Sequence, residues 1–133
     1  MREIIDTSAL FRLDLLERLR GTDRQVVVPA VAFTERARQL NAAGVPPEDF
    51  FEFLATNRIE VEPYGTGEAL HIRVRIKDRL AWRRLARDAM IAGHVFPRDR
   101  LWTSNPRDFL AVGIPGEQIF DPTDPAARPR AEE

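Results

Sequence analysis

The sequence predicts an α/β fold built on a mainly parallel sheet of roughly five strands. Short β-branched or apolar runs such as QVVVP (25–29) alternate with segments whose apolar residues recur every three to four positions. Strand–helix alternation of this kind builds parallel sheets, because each helix returns the chain to the edge where the next strand must start. The 133 residues, 44% hydrophobic and 31% charged, suit one domain with its own core. That domain is expected over 1–122, followed by a disordered tail over 123–133.

The elements follow in order. EIID (3–6) reads as a short buried strand, after which Thr7 or Ser8 is placed to cap a helix. Phe11, Leu15 and Leu19 give that helix one apolar face, and Gly21 ends it. QVVVP is the second strand, stopped by Pro29. A helix over 30–42 carries Glu35. Gly44 and Pro46–Pro47 make a turn into a helix over 48–57, with Pro suited to a helix start. RIEVEPY (58–64) reads as the third strand. Residues 66–96 are mostly helical in pattern, in two pieces broken near Lys77–Trp82. RLWTS (100–104) and EQIFDP (117–122) supply the fourth and fifth strands. The final DPTDPAARPRAEE is rich in proline and charge, hence the predicted tail.

Several function classes are excluded or disfavoured. No apolar run approaches the length of a membrane span, and Asp6 breaks the first run too early for a signal peptide. Without cysteine there is no disulfide framework, thiolate zinc site or cysteine nucleophile, and a cytoplasmic location is expected. No glycine-rich loop ends in Lys-Ser/Thr, so a P-loop is absent. Receiver domains and haloacid-dehalogenase-like phosphatases also place an Asp after an early strand. Both usually need a lysine near the site, and the only one here, Lys77, lies in an arginine-rich segment read as helical. His71 and His94 are far apart in sequence and make a poor metal pair or triad.

Four carboxylates stand where a carboxylate is awkward. Asp6 ends the run IIDTSAL, Glu35 lies inside PAVAFTERARQL, Asp88 interrupts the apolar side of LARDAMIAGHV, and Asp108 follows a short apolar run in LWTSNPRDF. An ionised carboxylate near a core is costly unless compensated. Each has a bland reading on its own: a helix-start acid for Asp6, an ion pair with Arg36 or Arg38 for Glu35, one with Arg84 or a neighbouring arginine for Asp88, and a turn position for Asp108. Together they suggest a shared divalent cation acting on phosphodiesters. Ligands of open α/β sheets bind beyond the carboxyl ends of the strands, which is where Asp6 and Asp108 should fall.

The net charge of −1 hides an asymmetry. Seven basic residues and one acid lie between Arg73 and Arg87, and four acids follow Phe120. Arg73, Arg75, Arg83, Arg84 and Arg87 are candidates for RNA backbone contact, which gives affinity without base specificity. A solvated helix face explains the same pattern.

In order and context, the four acidic segments resemble the PIN-domain nucleases, especially the VapC-type toxins of toxin–antitoxin pairs. IIDTSAL resembles that family's opening strand, VPAVAFTERARQL its second strand and helix, RDAMIAGHV a helix beginning with Asp88, and LWTSNPRDF with IFDP its closing segment. The resemblance implies a three-layer α/β/α sandwich and an endoribonuclease dependent on Mg²⁺ or Mn²⁺. It implies Asp6, Asp88 and Asp108 as metal ligands, with Glu35 orienting or deprotonating water or binding a second ion. Carboxylate oxygens are hard ligands suited to these cations, which lower the pKa of water and screen phosphate charge. It also implies a homodimer inhibited by a cognate antitoxin protein, with the apolar residues Leu13, Phe50 and Phe53 as groove, dimer face or core. Many PIN domains carry an acid where this chain has Asn105, and here the acid follows three residues later as Asp108. The fourth ligand therefore stands open between Asp108 and a water held by Asn105. Thr7, Ser8 and Thr103 are supporting hydrogen-bonding candidates. The alternatives are a non-catalytic PIN module binding RNA or protein, and a PIN ribonuclease of RNA processing outside any toxin–antitoxin pair.

Overall fold

Five strands pair in the order β3-β2-β1-β4-β5, every neighbour parallel. They are β1 (Arg2–Ile5), β2 (Gln25–Pro29), β3 (Ile59–Glu62), β4 (Arg100–Trp102) and β5 (Ile119–Phe120). The helices are α1 (Leu13–Arg20), α2 (Ala30–Ala42), α3 (Pro47–Thr56), α4 (Thr66–Leu70), α5 (Arg79–Ala92) and α6 (Pro106–Ala111). The structure is a computed structural model describing residues 1–10 and 12–124, without the Leu13 side chain. The readings placed on Phe11, on the Leu13 side chain and on 125–133 of the tail lie outside the described residues.

Topology makes this a three-layer α/β/α sandwich. The connections through α1, and through α2 with α3, carry the chain outward from β1 to β2 to β3. Those through α5 and α6 run the opposite way, to β4 and β5. Right-handed crossovers of opposite direction put the two helix sets on opposite faces of the sheet. Both faces are therefore covered, and the middle of β2 is apolar on both: Val26, Val27 and Val28 are all buried. The core continues through Ile4, Leu54, Ile91, Leu101, Trp102 and Phe109, each at most 0% exposed. Burying a side chain of this size contributes roughly 1.5–3 kcal/mol.

The elements differ from the sequence reading in three places, besides α6, which puts Asp108 in the first turn of a helix rather than in a loop. First, β1 ends at Ile5, so Asp6 stands just beyond the strand. The next residues form a 3₁₀ turn, Thr7–Ala9, before α1 begins at Leu13, and neither Thr7 nor Ser8 caps α1. Second, 71–78 is extended and irregular rather than helical. Ile72, Val74 and Ile76 alternate with Arg73, Arg75 and Lys77, a period of two in β-branched residues that opposes helix formation. Val74 and Ile76 pack against the core. Arg73 is tied to α5's C-terminal end through Nη1 to the Ala92 carbonyl at 3.2 Å, and through Nη2 to the Val95 carbonyl. Third, α5 starts at Arg79, where the Asp78 side chain accepts from the Leu80 N–H. Asp88 thus lies in the third turn, not at the helix start.

Two packing details hold α5 in place. A Cβ on Gly93 would stand 2.6 Å from the Glu68 carbonyl oxygen, so only glycine allows the end of α5 this close to α4. Beyond it, fully buried His94 bonds Glu62 through Nδ1 at 2.7 Å, and Arg2 bridges Glu62 and Asp99. Near the start of the sheet, fully buried Glu3 accepts from Trp102 Nε1 at 2.6 Å and faces Arg24 at 2.7 Å. Burial pushes its pKa up against the opposing pull of Trp102, Arg100 and Arg24.

Candidate active site

The strand order reverses between β1 and β4, because the connections leave these neighbours in opposite directions. At such a reversal the loops diverge and leave a crevice beyond the carboxyl ends of the strands. Asp6 enters it directly from β1. Its backbone N–H still bonds the Trp102 carbonyl at 3.0 Å, continuing the ladder by one residue. Its side chain is 1% exposed. Oδ2 accepts from Thr103 Oγ1 at 2.8 Å and from Ser8 Oγ at 3.0 Å. Oδ1 is buried with no hydrogen-bond partner. An orphaned carboxylate oxygen in such a place is costly, and a cation would compensate it.

Thr103 and Ser8 form the floor. Thr103 is fully buried, its backbone N–H bonds the Phe120 carbonyl at 3.0 Å, and its hydroxyl accepts from the Asn105 N–H at 3.0 Å. Ser8 Oγ accepts from the Ser104 N–H at 2.9 Å and lies 3.3 Å from Thr103 Oγ1. This small hydroxyl network fixes which way the Asp6 carboxylate points.

The other three acids arrive on helices. Glu35 comes from the second turn of α2 and Asp88 from α5, which packs against α2. One guanidinium spans both. Arg87 donates from Nη1 to Glu35 Oε2 at 2.6 Å, and from Nη2 and Nε to Asp88 Oδ1 at 2.8 and 3.2 Å. Asp108 lies in the first turn of α6, where Asn105 Nδ2 donates to Oδ2 at 2.8 Å and Arg84 Nη1 donates to Oδ1 at 3.0 Å.

Charge knits the group together. Burial pushes the Asp88 carboxyl upward; pairing with Arg87 opposes this, and the negative charges of Asp6 and Asp108 add to it. Burial pulls the Arg87 guanidinium down, but the hydrogen bond and charge of Asp88, with the charges of Glu35 and Asp6, outweigh it and hold it above its ordinary value. Four carboxylates thus face two guanidiniums, and negative charge remains in excess. Glu35, Asp88 and Asp108 pair with these arginines, and Asp6 with the Thr103 and Ser8 hydroxyls. Among the described residues, no three or more His, Asp or Glu side chains are drawn together closely enough to hold a metal ion. The donor chemistry still fits one: every candidate ligand is a hard carboxylate oxygen, and Asp6 Oδ1 is buried and unpaired.

The remaining sequence candidates divide. Thr7 is buried but turns away, its hydroxyl donating to the Ala32 carbonyl at 3.4 Å. Arg73 is committed to backbone carbonyls, and burial lowers its pKa. Arg75 and Arg83 are exposed. His71 and His94 lie apart from the acids, stacked on Phe96 and bonded to Glu62 respectively. Phe50 is core, whereas Phe51 and Phe53 on the same helix are exposed. The clamp role of Arg87 was legible only as its position next to Asp88 in LARDAM. Among the described residues, no helix is long and apolar enough to cross a membrane. Comparison of the chain with protein-family models and with curated proteins gives no match.

Proposed function

We propose that this chain is an endoribonuclease of the PIN type that hydrolyses RNA phosphodiester bonds with Mg²⁺ or Mn²⁺. The observation that carries this reading is Asp6 Oδ1, buried and unpaired at the strand-order reversal within the electrostatic reach of Asp88 and Arg87. Asp6, Asp88 and Asp108 would hold the ion. When bound, such an ion activates water and offsets the charge of the phosphate under attack.

The protein's own residues have separable tasks in this scheme. Thr103 and Ser8 orient Asp6 by donating to its Oδ2, leaving Oδ1 buried and unpaired. Glu35, partly exposed on α2, is placed to accept a proton from water at the edge of the site. Arg84 and Arg87 reach the acids from α5 with more than a third of each side chain in solvent, where a phosphate can meet them. The reading as a toxin adds a homodimer and a cognate antitoxin as partners, and co-purification with the product of an adjacent small gene tests that part.

Cleavage of total RNA by purified protein tests the enzyme. Cutting with Mg²⁺ or Mn²⁺ is expected, with none in EDTA and none in Asp6→Asn or Asp88→Asn. A folded wild-type protein that binds RNA but leaves it intact would favour the second reading, a non-catalytic module. The ion pairs of Arg87 and Arg84 with Glu35, Asp88 and Asp108 favour that alternative, because they give three of the four acids a cationic partner without a metal.

A further inference from the structure

We infer that Arg87 is a built-in competitor for the cation position, and that it gives up the acids when a substrate phosphate enters. The inference rests on the metal-dependent reading above and concerns what controls access to that site.

The geometry is specific. Arg87 is bonded to two acids on different helices at once, Glu35 on α2 and Asp88 on α5. Its three donor contacts saturate the side of Asp88 that carries Oδ1 and occupy one oxygen of Glu35. A divalent ion and a guanidinium seek the same oxygens and the same negative potential, so each weakens the other's hold. Such competition is reciprocal: whatever removes Arg87 from the acids strengthens the cation's binding by the same factor.

The exchange needs no unfolding. The Arg87 side chain is 41% exposed, while Asp88 beside it is 2% exposed. The anchor stays buried in α5 while the guanidinium turns about its flexible stem into solvent. Its natural next partner is a phosphodiester, whose two non-bridging oxygens can accept the paired hydrogen bonds of the planar guanidinium. Before substrate arrives, Arg87 neutralises acids that would otherwise repel one another; afterwards it binds the phosphate and leaves the acids to the ion. Arg87 is on this account a positioning residue that couples the two binding events. Arg84 holds Asp108 in a similar but single contact, 62% exposed, and is the weaker member.

Mn²⁺ titration by calorimetry tests this without any turnover. The proteins are wild type, Arg87→Gln, Arg87→Lys and Asp6→Asn, each checked by melting temperature. Each is titrated with and without a single-stranded oligodeoxynucleotide as uncleaved phosphodiester. Arg87→Gln should bind Mn²⁺ more tightly than wild type by about 5–150-fold, the usual range for coupled sites. Arg87→Lys, which keeps the charge, should stay nearer wild type. The oligodeoxynucleotide should tighten Mn²⁺ binding to wild type and leave Arg87→Gln unchanged. Equal Mn²⁺ affinity in wild type and a folded Arg87→Gln overturns the competitor role while the metal site stands. Absence of Mn²⁺ binding in both, or undiminished binding in Asp6→Asn, overturns the metal reading itself and this inference with it.

Discussion

Asp6 and Thr103 meet at 2.8 Å across the junction of β1 and β4, one residue beyond the end of each strand. Both side chains are buried, and the bond leaves Asp6 with one satisfied and one orphaned oxygen. Residues that orient a metal ligand typically matter about 10–100-fold in metal affinity. Thr103→Val removes the donor at nearly constant volume. It should weaken Mn²⁺ binding by roughly that factor while the far-ultraviolet circular dichroism spectrum stays the same. Unchanged affinity would mean that the Ser8 hydroxyl alone holds Asp6.

Asp88 should make the metal-free protein more stable in mild acid. Its folded pKa lies above the ordinary carboxylate value because burial outweighs its pairing with Arg87. A raised carboxyl favours the protonated fold. The stabilisation is fully present below the unfolded pKa and is lost as pH rises through the folded one. Asp88→Asn removes this dependence. It should melt above metal-free wild type at neutral pH, by a few degrees, with the gap closing as pH falls toward the ordinary carboxylate range. A gap that widens on acidification would show that the ion pair, not burial, dominates.

Asp108 should matter less to metal binding than Asp6. Both of its oxygens already have donors, from Asn105 and Arg84, and it is partly exposed. Asp108→Asn should therefore lose less Mn²⁺ affinity than Asp6→Asn in parallel titrations. Arg84→Ala should change stability by no more than about 1 kcal/mol, as expected of an exposed ion pair. An Asp108→Asn loss equal to that of Asp6→Asn would make Asp108 a full ligand.

Two substitutions outside the four acids should destabilise the fold. Gly93→Ala forces a Cβ against the Glu68 carbonyl and should cost on the order of 1–3 kcal/mol. Trp102→Phe leaves Glu3 Oε2 without its indole donor inside the protein and should cost about 1–3 kcal/mol. Chemical denaturation measures both.

The strand–helix alternation was readable because local signals agreed with the final packing. QVVVP became β2 at the predicted bounds, and the helix over 30–42 was found there. The segment 71–78 was misread because arginine and lysine between aliphatics suit both helix and extended chain. Tertiary contacts decided it: Val74 and Ile76 reach the core, and Arg73 reaches the end of α5. At the site, Asp6 follows the first strand and Glu35 lies on the helix over 30–42 as read, whereas Asp88 lies in the third turn of α5 and Asp108 in a helix, α6, that the sequence reading did not contain. The acids' partners were not legible. Glu35 pairs not with Arg36 or Arg38 on its own helix but with Arg87, 52 residues away. A contact between helices depends on how α2 and α5 cross, which no local pattern encodes.

The pairing of β1 with β4 also governs the order of assembly. Asp6 and Thr103 are separated by 97 positions, whereas β1, β2 and β3 pair successively along the chain. Closing so long a loop carries an entropic cost that local contacts do not, and non-local parallel pairing is slow. A growing chain that has not yet reached β4 already contains Asp6, Glu35 and, near its end, Asp88, yet it has no crevice to bring them to. The acids and the crevice therefore mature at different times, and a chain interrupted before residue 100 carries three of the four acids, without Asp108 and without the Asp6–Thr103 bond.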